Sequence, residues 1–342
     1  MARGIDALTG DAMLRVWFAA TDLTRIRVAP QPDPLWEILL SLHLLWKRDG
    51  AVTFGGWKRR VLGRLPARAT ALLPSLAPPL GYSPDFLTPA RSVDGLDQGI
   101  DAVLSTPRQR LRTDLARLTG HGRTPGWLAA LGDRDRSLLD RLGAELRAYH
   151  RSAIATHWEH IRTRVAADRA VRTGHLLTGG AEQLLRTLHP AIRWQAPVLE
   201  IQYGGAERDI HLDGRGLLLI PSFFCWRDPI TLFDPELPPV LVYPIEHELG
   251  WADPAPAQPS RAERSLAALL GRTRAAVLEV LAEQCTTTEL SRKLRIAPSS
   301  ASEHAAVLRD AGLVSTYRHR NTVHHKLTTL GLAVLNGGRA LN

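Results

Sequence analysis

Hydrophobic positions recur along the chain in two rhythms, with one stretch that has neither. The first rhythm is helical. In PLWEILLSLHLLW, Pro34 to Trp46, the residues Leu35, Ile38, Leu39, Leu42 and Leu45/Trp46 fall three and four apart, and Pro34 sits where a helix tolerates a missing N–H. A longer amphipathic run extends from about Leu138 to Val171 through Leu142, Leu146, Tyr149, Ile154, Trp158, Ile161 and Val165. The period then shortens. VLEIQYGG, RDIHLDGRG, LLLIPSFF and PVLVYP are short apolar or β-branched runs bounded by Gly, Pro and Asp-Gly, and they predict a small antiparallel sheet between about Val198 and Pro244. ADPAPAQPS, Ala252 to Ser260, has no apolar period and reads as an extended linker. The expected fold is therefore α+β: a mainly helical N-terminal region with a small antiparallel sheet (1–251), an Ala/Pro linker (252–260) and a C-terminal unit (261–342).

The helical rhythm returns after the linker. Val277, Leu278 and Leu281 share one face of GRTRAAVLEVLA, and Thr286 precedes Glu289 by the spacing of a capping box. Leu290 and Leu294 lie one turn apart. After a short RIA turn, Pro298 presets the next helix, Ala301, Ala305 and Leu308 form its inner stripe, and Gly312 supplies a left-handed stop. That stripe leaves Ser299, Ser300, Ser302, Glu303 and His304 pointing outward from a helix at about 298–311. Short hydroxyls at a helix N-terminus suit a recognition helix, whose backbone approaches DNA closely in the major groove. LVSTYRHRNTVHHKLT then predicts a hairpin at about 314–327, with Val323, His325 and Leu327 alternating on its second strand and Arg320-Asn321 at its tip. Arg318, His319, Arg320 and Lys326 gather positive charge beside the turn. Each feature alone also fits a solvated helix face or a charged edge that resists aggregation; in succession they predict a winged helix-turn-helix.

Charge reinforces this. The formal net charge is +9 and the calculated pI about 10.2. From Arg261 onward there are 12 Lys and Arg against 6 Asp and Glu, leaving 31 against 28 before it, so the short tail carries most of the excess. An acidic partner, double-stranded DNA, is expected. Cys225 and Cys285 are too few and too far apart for a disulfide framework and suit a reducing cytoplasm. MLRVWFAA is interrupted by Arg15 and is not expected to act as a signal peptide, and no stretch approaches the roughly 20 apolar residues of a membrane span. A cytoplasmic protein without a membrane partner is expected.

From about Arg261 to Gly331 the chain resembles the winged-helix domain of the arsenic-repressor (ArsR) family of bacterial transcriptional regulators. Pro298, Ser299, Ser302 and His304 fit that family's helix start. Leu308, Ala311, Gly312, Leu313 and Val314 fit its exit, and Leu327-Thr328 fit the end of its second wing strand. The resemblance implies sequence-specific DNA binding by a homodimer. The family's metal-sensing members carry paired cysteines beside the first helix of the motif; only Cys285 lies there, and one thiolate makes no soft-metal site, so no metal is expected. Glu303 and Ala306 stand where basic residues are common, which shifts weight to the wing. PLWEILLSLHLL, GYSPDFLTP, AYHRSAIATHWEHIRTRVAADRA, ERDIHLDGRGLLLIPSFFCW and DPELPPVLVYP resemble the uncharacterised domain that precedes the winged helix in high-GC actinobacterial regulators.

The N-terminal region has neither a phosphate-binding loop nor a nucleophile elbow, so no enzyme, catalytic residue or cofactor is expected. His157 and His160 flank Trp158 and Ile161 and read as neighbours of a core rather than metal ligands. Glu246, His247 and Glu248 form a similar weak cluster. WKRRVLGRLPAR, Trp57 to Arg68, is a basic amphipathic stretch that reads as a solvated helix face. Trp36, Trp46, Trp57, Trp194 and Trp226 are of the kind that lines an apolar cavity, which leaves room for a small-molecule effector. The alternative is a small-molecule-binding or enzymatic N-terminal domain whose appended winged helix docks a protein, a role that Glu303 on the recognition face would permit.

Overall fold

The computed structural model describes residues 13–47, 50–65, 71–79, 81–119, 125–202, 207–247, 251–252, 266, 268–282, 284–294, 296–319 and 322–335. The chain forms two compact units, Met1–Arg48 with Arg60–His247, and Asp49–Arg59 with Glu248–Asn342. Of the expected linker only Ala252 lies among the described residues.

The first unit is α+β. Its helices are α1 (Pro34–Trp46), the second half of α2 (Ala51–Arg64), α3 (Leu73–Leu76), α4 (Leu96–Leu104), α5 (Arg108–Thr119), α6 (Gly126–Gly132), α7 (Arg136–Tyr149) and α8 (Trp158–Arg186). α1 begins where Asp33 accepts hydrogen bonds from the N–H groups of Leu35 (3.0 Å) and Trp36 (3.1 Å), with Pro34 in the first turn. It is buried almost all round, Leu40 and Leu44 included, whereas Trp46 at its end is exposed. Even Glu37 is buried. Its carboxylate accepts from the Phe223 and Phe224 N–H groups (2.8 and 2.9 Å) and the Ser222 hydroxyl (3.0 Å). Those donors oppose a burial cost that pushes its pKa up to about 7.

The long amphipathic run is divided. α7 passes through a π turn, His150–Ile154, and a 3-10 turn, Ala155–His157, before α8 begins. Tyr149 and Ile154 are both fully buried though five residues apart. A regular α-helix cannot keep that spacing on one face, and a π turn does. Ile161 and Val165 then resume the buried stripe, while Trp158 is half-buried, edge-on to His150. Gly179 and Gly180 interrupt α8 with non-helical backbone.

The expected single antiparallel sheet is corrected to two small sheets. In one, β3 (Ile192–Gln195), β4 (Val198–Gln202), β1 (Met13–Trp17) and β5 (Arg208–His211) lie in the order β3-β4-β1-β5. Pairing is antiparallel at β3–β4 and β4–β1 but parallel at β1–β5. In the other, β2 (Arg27–Val28), β6 (Leu218–Ser222) and β7 (Val240–Pro244) are all parallel. The connection 223–239 is long enough to cross back over the sheet, which a parallel pair requires and a hairpin does not.

The second unit begins with the first half of α2, where Phe54 meets Trp57 and Trp251 edge-on. The basic stretch from Trp57 thus falls on α2, with 66–68 outside the described residues. Then come α9 (Arg272–Val280), β8 (Cys285–Thr286), α10 (Thr287–Leu294), α11 (Pro298–Asp310), β9 (Val314–His319), β10 (Thr322–Leu327) and α12 (Thr329–Leu335). The strands form an antiparallel sheet ordered β8-β10-β9. Val277, Leu278, Leu281, Leu290, Ala301, Ala305, Leu308 and Val314 make its core.

Candidate nucleic-acid interface

Local bonds set the angle and length of each helix in the motif. The Glu289 carboxylate accepts from the Thr286 N–H (2.7 Å) and hydroxyl (2.9 Å), and the Glu289 N–H returns a bond to the Thr286 hydroxyl oxygen (3.2 Å). Burial opposes the charge on Glu289, but these bonds outweigh it and hold the carboxyl below its ordinary range. Between α10 and α11 the Ile296 N–H donates to the Ser291 carbonyl (3.1 Å) and the Ser291 hydroxyl donates to the Ile296 carbonyl (2.7 Å), closing the turn from both sides. Ser291 was not among the residues the sequence pattern marked; a lone serine near a helix end gives no periodic signal.

α11 opens at Pro298 after an extended Ala297. Ala301, Ala305 and Leu308 are buried, so its small-residue inner face lets it approach α9 and α10 closely. At its far end the Leu313 N–H donates to the Leu308 carbonyl and the Gly312 N–H to the Arg309 carbonyl, both 2.9 Å, with Gly312 at φ 72°. This is a Schellman stop. On the outer face Ser299, Ser302 and Glu303 are exposed, while Ser300 and His304, one turn apart, are half-buried along the flank of the alanine stripe.

In the hairpin, His319 pairs with Thr322, Arg318 with Val323, Tyr317 with His324, Thr316 with His325, Ser315 with Lys326 and Val314 with Leu327. Directly paired residues share a face. Arg318 therefore lies on the side of Thr316, His325 and Val314, and Lys326 on the opposite side with Tyr317 and His324; both cations are exposed. The charge gathered near the turn is thus divided between the two faces of the ribbon. Arg320, Asn321 and the side chain of His319 lie outside the described residues. On the outer face the His324 ring stacks on Tyr317 (5.4 Å between centroids, 13° between planes), and the Lys326 ammonium lies 5.9 Å from the Tyr317 centroid. This aromatic–cation group went unmarked in the sequence, although a two-residue tip at Arg320-Asn321 already dictates the pairing that creates it.

His325 is buried, with its Nε2 2.9 Å from the Thr287 hydroxyl and its Nδ1 2.9 Å from the Thr316 hydroxyl. Burial, then the charge of Arg309 and His324, lowers its pKa. Cys285, directly across β10 from His325, is also buried. Among the described residues no group of three or more His, Cys, Asp or Glu side chains is placed to hold a metal ion. No helix among them is long and apolar enough to cross a membrane.

Comparison with known families agrees with this geometry. Residues 133–249 match a family of unknown function, DUF5937, and residues 271–316 match the model of the bacterial regulatory protein, arsR family. The first match begins well after Pro34, where the first of the resembling N-terminal stretches starts; the second covers α9 to the first part of β9. No curated protein and no solved structure matches the chain. The second unit thus carries the helix-turn-helix of ArsR-type DNA-binding regulators, behind a domain of unknown function.

Proposed function

We propose that the chain is a homodimeric, sequence-specific transcriptional regulator. α11 enters the major groove by its N-terminal end, so that Ser299, Ser300, Ser302, Glu303 and His304 meet base edges and phosphates. Arg318, His319, Arg320 and Lys326 of the wing engage the backbone or minor groove from both faces of the ribbon. The N-terminal region, 1–251, joined through 252–260, assembles the dimer and receives a small-molecule effector. A two-fold dimer reads an inverted repeat, one recognition helix per half-site. The observation that carries this is the exposure of Ser299 and Ser302 at the open end of a helix whose other face is alanine, with an exposed basic ribbon following it.

The test is retention of genomic fragments by the full chain, followed by footprinting. Replacing Arg318 and Lys326 by Ala should lower the slope of log affinity against log salt by about 1 for each phosphate no longer neutralised. An unchanged slope sinks the wing assignment. Glu303→Lys should tighten DNA binding if this face meets the duplex; loss of a co-purifying protein with no change in DNA affinity would instead favour a protein-docking winged helix.

A further inference from the structure

The first unit holds a cavity of about 210 Å³. It is lined by Trp36 of α1, Phe86, Ala102 of α4 and the following Thr106, Ile220 of β6 and Val240 of β7. Leu232, Leu237 and Pro238, from the β6–β7 connection, also line it. Of the five tryptophans that the sequence marked, Trp36 alone is among the lining residues.

Four of the six polar side chains that line it, Asp33, Asp85, Thr106 and Arg110, are already engaged. Asp33 accepts from Leu35, Trp36 and the Ser92 hydroxyl (2.5 Å). Asp85 accepts from the N–H groups of Phe233 and Asp234. The Thr106 hydroxyl donates to the Ala102 carbonyl (3.2 Å), and Arg110 pairs with Asp234 at 2.7 Å. What is left facing the space is chiefly hydrocarbon. An anionic ligand would be set against Asp33 and Asp85, and a cationic one would share the wall with Arg110 and give up its hydration among apolar side chains. An engineered apolar cavity of about 150 Å³ takes up benzene, so this one has room for somewhat more.

We propose that this cavity is a binding site for an uncharged, predominantly apolar molecule of one or two fused rings. Its regulatory consequence rests on the DNA-binding reading above, but the binding does not, and it is measured without DNA. Calorimetric titration of the full chain with indole should give saturable binding of one molecule per chain. Ala102→Leu, which fills the space from α4, should weaken binding by about tenfold or more. Ala90→Leu, at the exposed rim, should weaken it likewise and keeps the test decisive if the first variant folds poorly. Indole-3-carboxylate, the same ring with a charge added, should bind at least about tenfold more weakly than indole. Absence of saturable indole binding, binding that Ala90→Leu and any folded Ala102→Leu leave intact, or carboxylate binding as tight as that of indole would overturn the proposal.

Discussion

Two glycines in the second unit show how differently one residue type can be required. Gly312 has φ 72° with open space where a Cβ would stand, so Gly312→Ala costs only backbone strain, about 1–2 kcal/mol. Gly331 has no such backbone demand, but a Cβ there would be driven into the Leu313 carbonyl oxygen. Backbone cannot swing aside as a side chain can, so Gly331→Ala should be the more damaging change, by overpacking of about 1–3 kcal/mol. Denaturant midpoints of the two variants, followed by amide exchange in 272–335, should rank them in that order. Gly312 was legible because a glycine after a helical stripe is a stop signal. Gly331 was not, because its requirement comes from a carbonyl that reaches it only in the folded unit. His325 adds a pH dependence. Its folded-state pKa lies below the ordinary 6.5, so its contribution is complete above 6.5 and is lost as pH falls from there through the lower folded-state pKa. His325→Gln should flatten that part of the acid loss of protection in β10.

At the scale of elements, helices and their ends were readable because caps and stripes depend on neighbours three to five residues away. Pro34–Trp46 forms a helix over the span the pattern indicates, and Thr286 and Glu289 bond as their spacing implies. Thr286→Ala should therefore cost about 1 kcal/mol and show first as faster exchange at the start of α10. The division of the Leu138–Val171 run was harder to see, since only the five-residue step from Tyr149 to Ile154 betrays it. The wing was legible as a ribbon, but the opposed faces of Arg318 and Lys326 emerge only once the register is fixed. A second bond network ties the wing to α11. Thr328 donates through its N–H to the Leu313 carbonyl (3.0 Å) and through its hydroxyl to the Gly312 carbonyl (2.7 Å), while accepting the Gly331 N–H (3.0 Å). Removing that hydroxyl in Thr328→Val should loosen the start of α12 and the stop of α11 together, seen as coupled loss of exchange protection.

At the scale of the whole molecule, strand pairing was the least legible feature, because strands far apart in sequence choose one another through the completed core. Acid response also belongs here. Burial holds His43, His189 and His247 near pKa 4, so their stabilisation is full above 6.5 and is lost as pH falls toward 4. Burial raises Asp33 to about 6 and Glu37 to about 7, so their contributions run the other way, full below 3.8 and 4.5 and lost as pH rises through about 6 and 7. Burial also lowers His150 and His157 and raises Asp85 and Asp114, so the shifted histidines still outnumber the shifted carboxylates, five to four, and between about pH 4.5 and 6 these groups together bind more protons in the unfolded chain than in the folded one. Urea midpoints of the first unit, followed by exchange in α1, should therefore fall on acidification across that window.

The position of β1 carries one more consequence. It lies between β4 and β5, with Leu14 opposite Ile201 and Arg208. On the ribosome this strand is made long before β4 and β5 and must wait without those partners until most of its unit has been translated. Nascent chains halted before Val198 should therefore be held by chaperones.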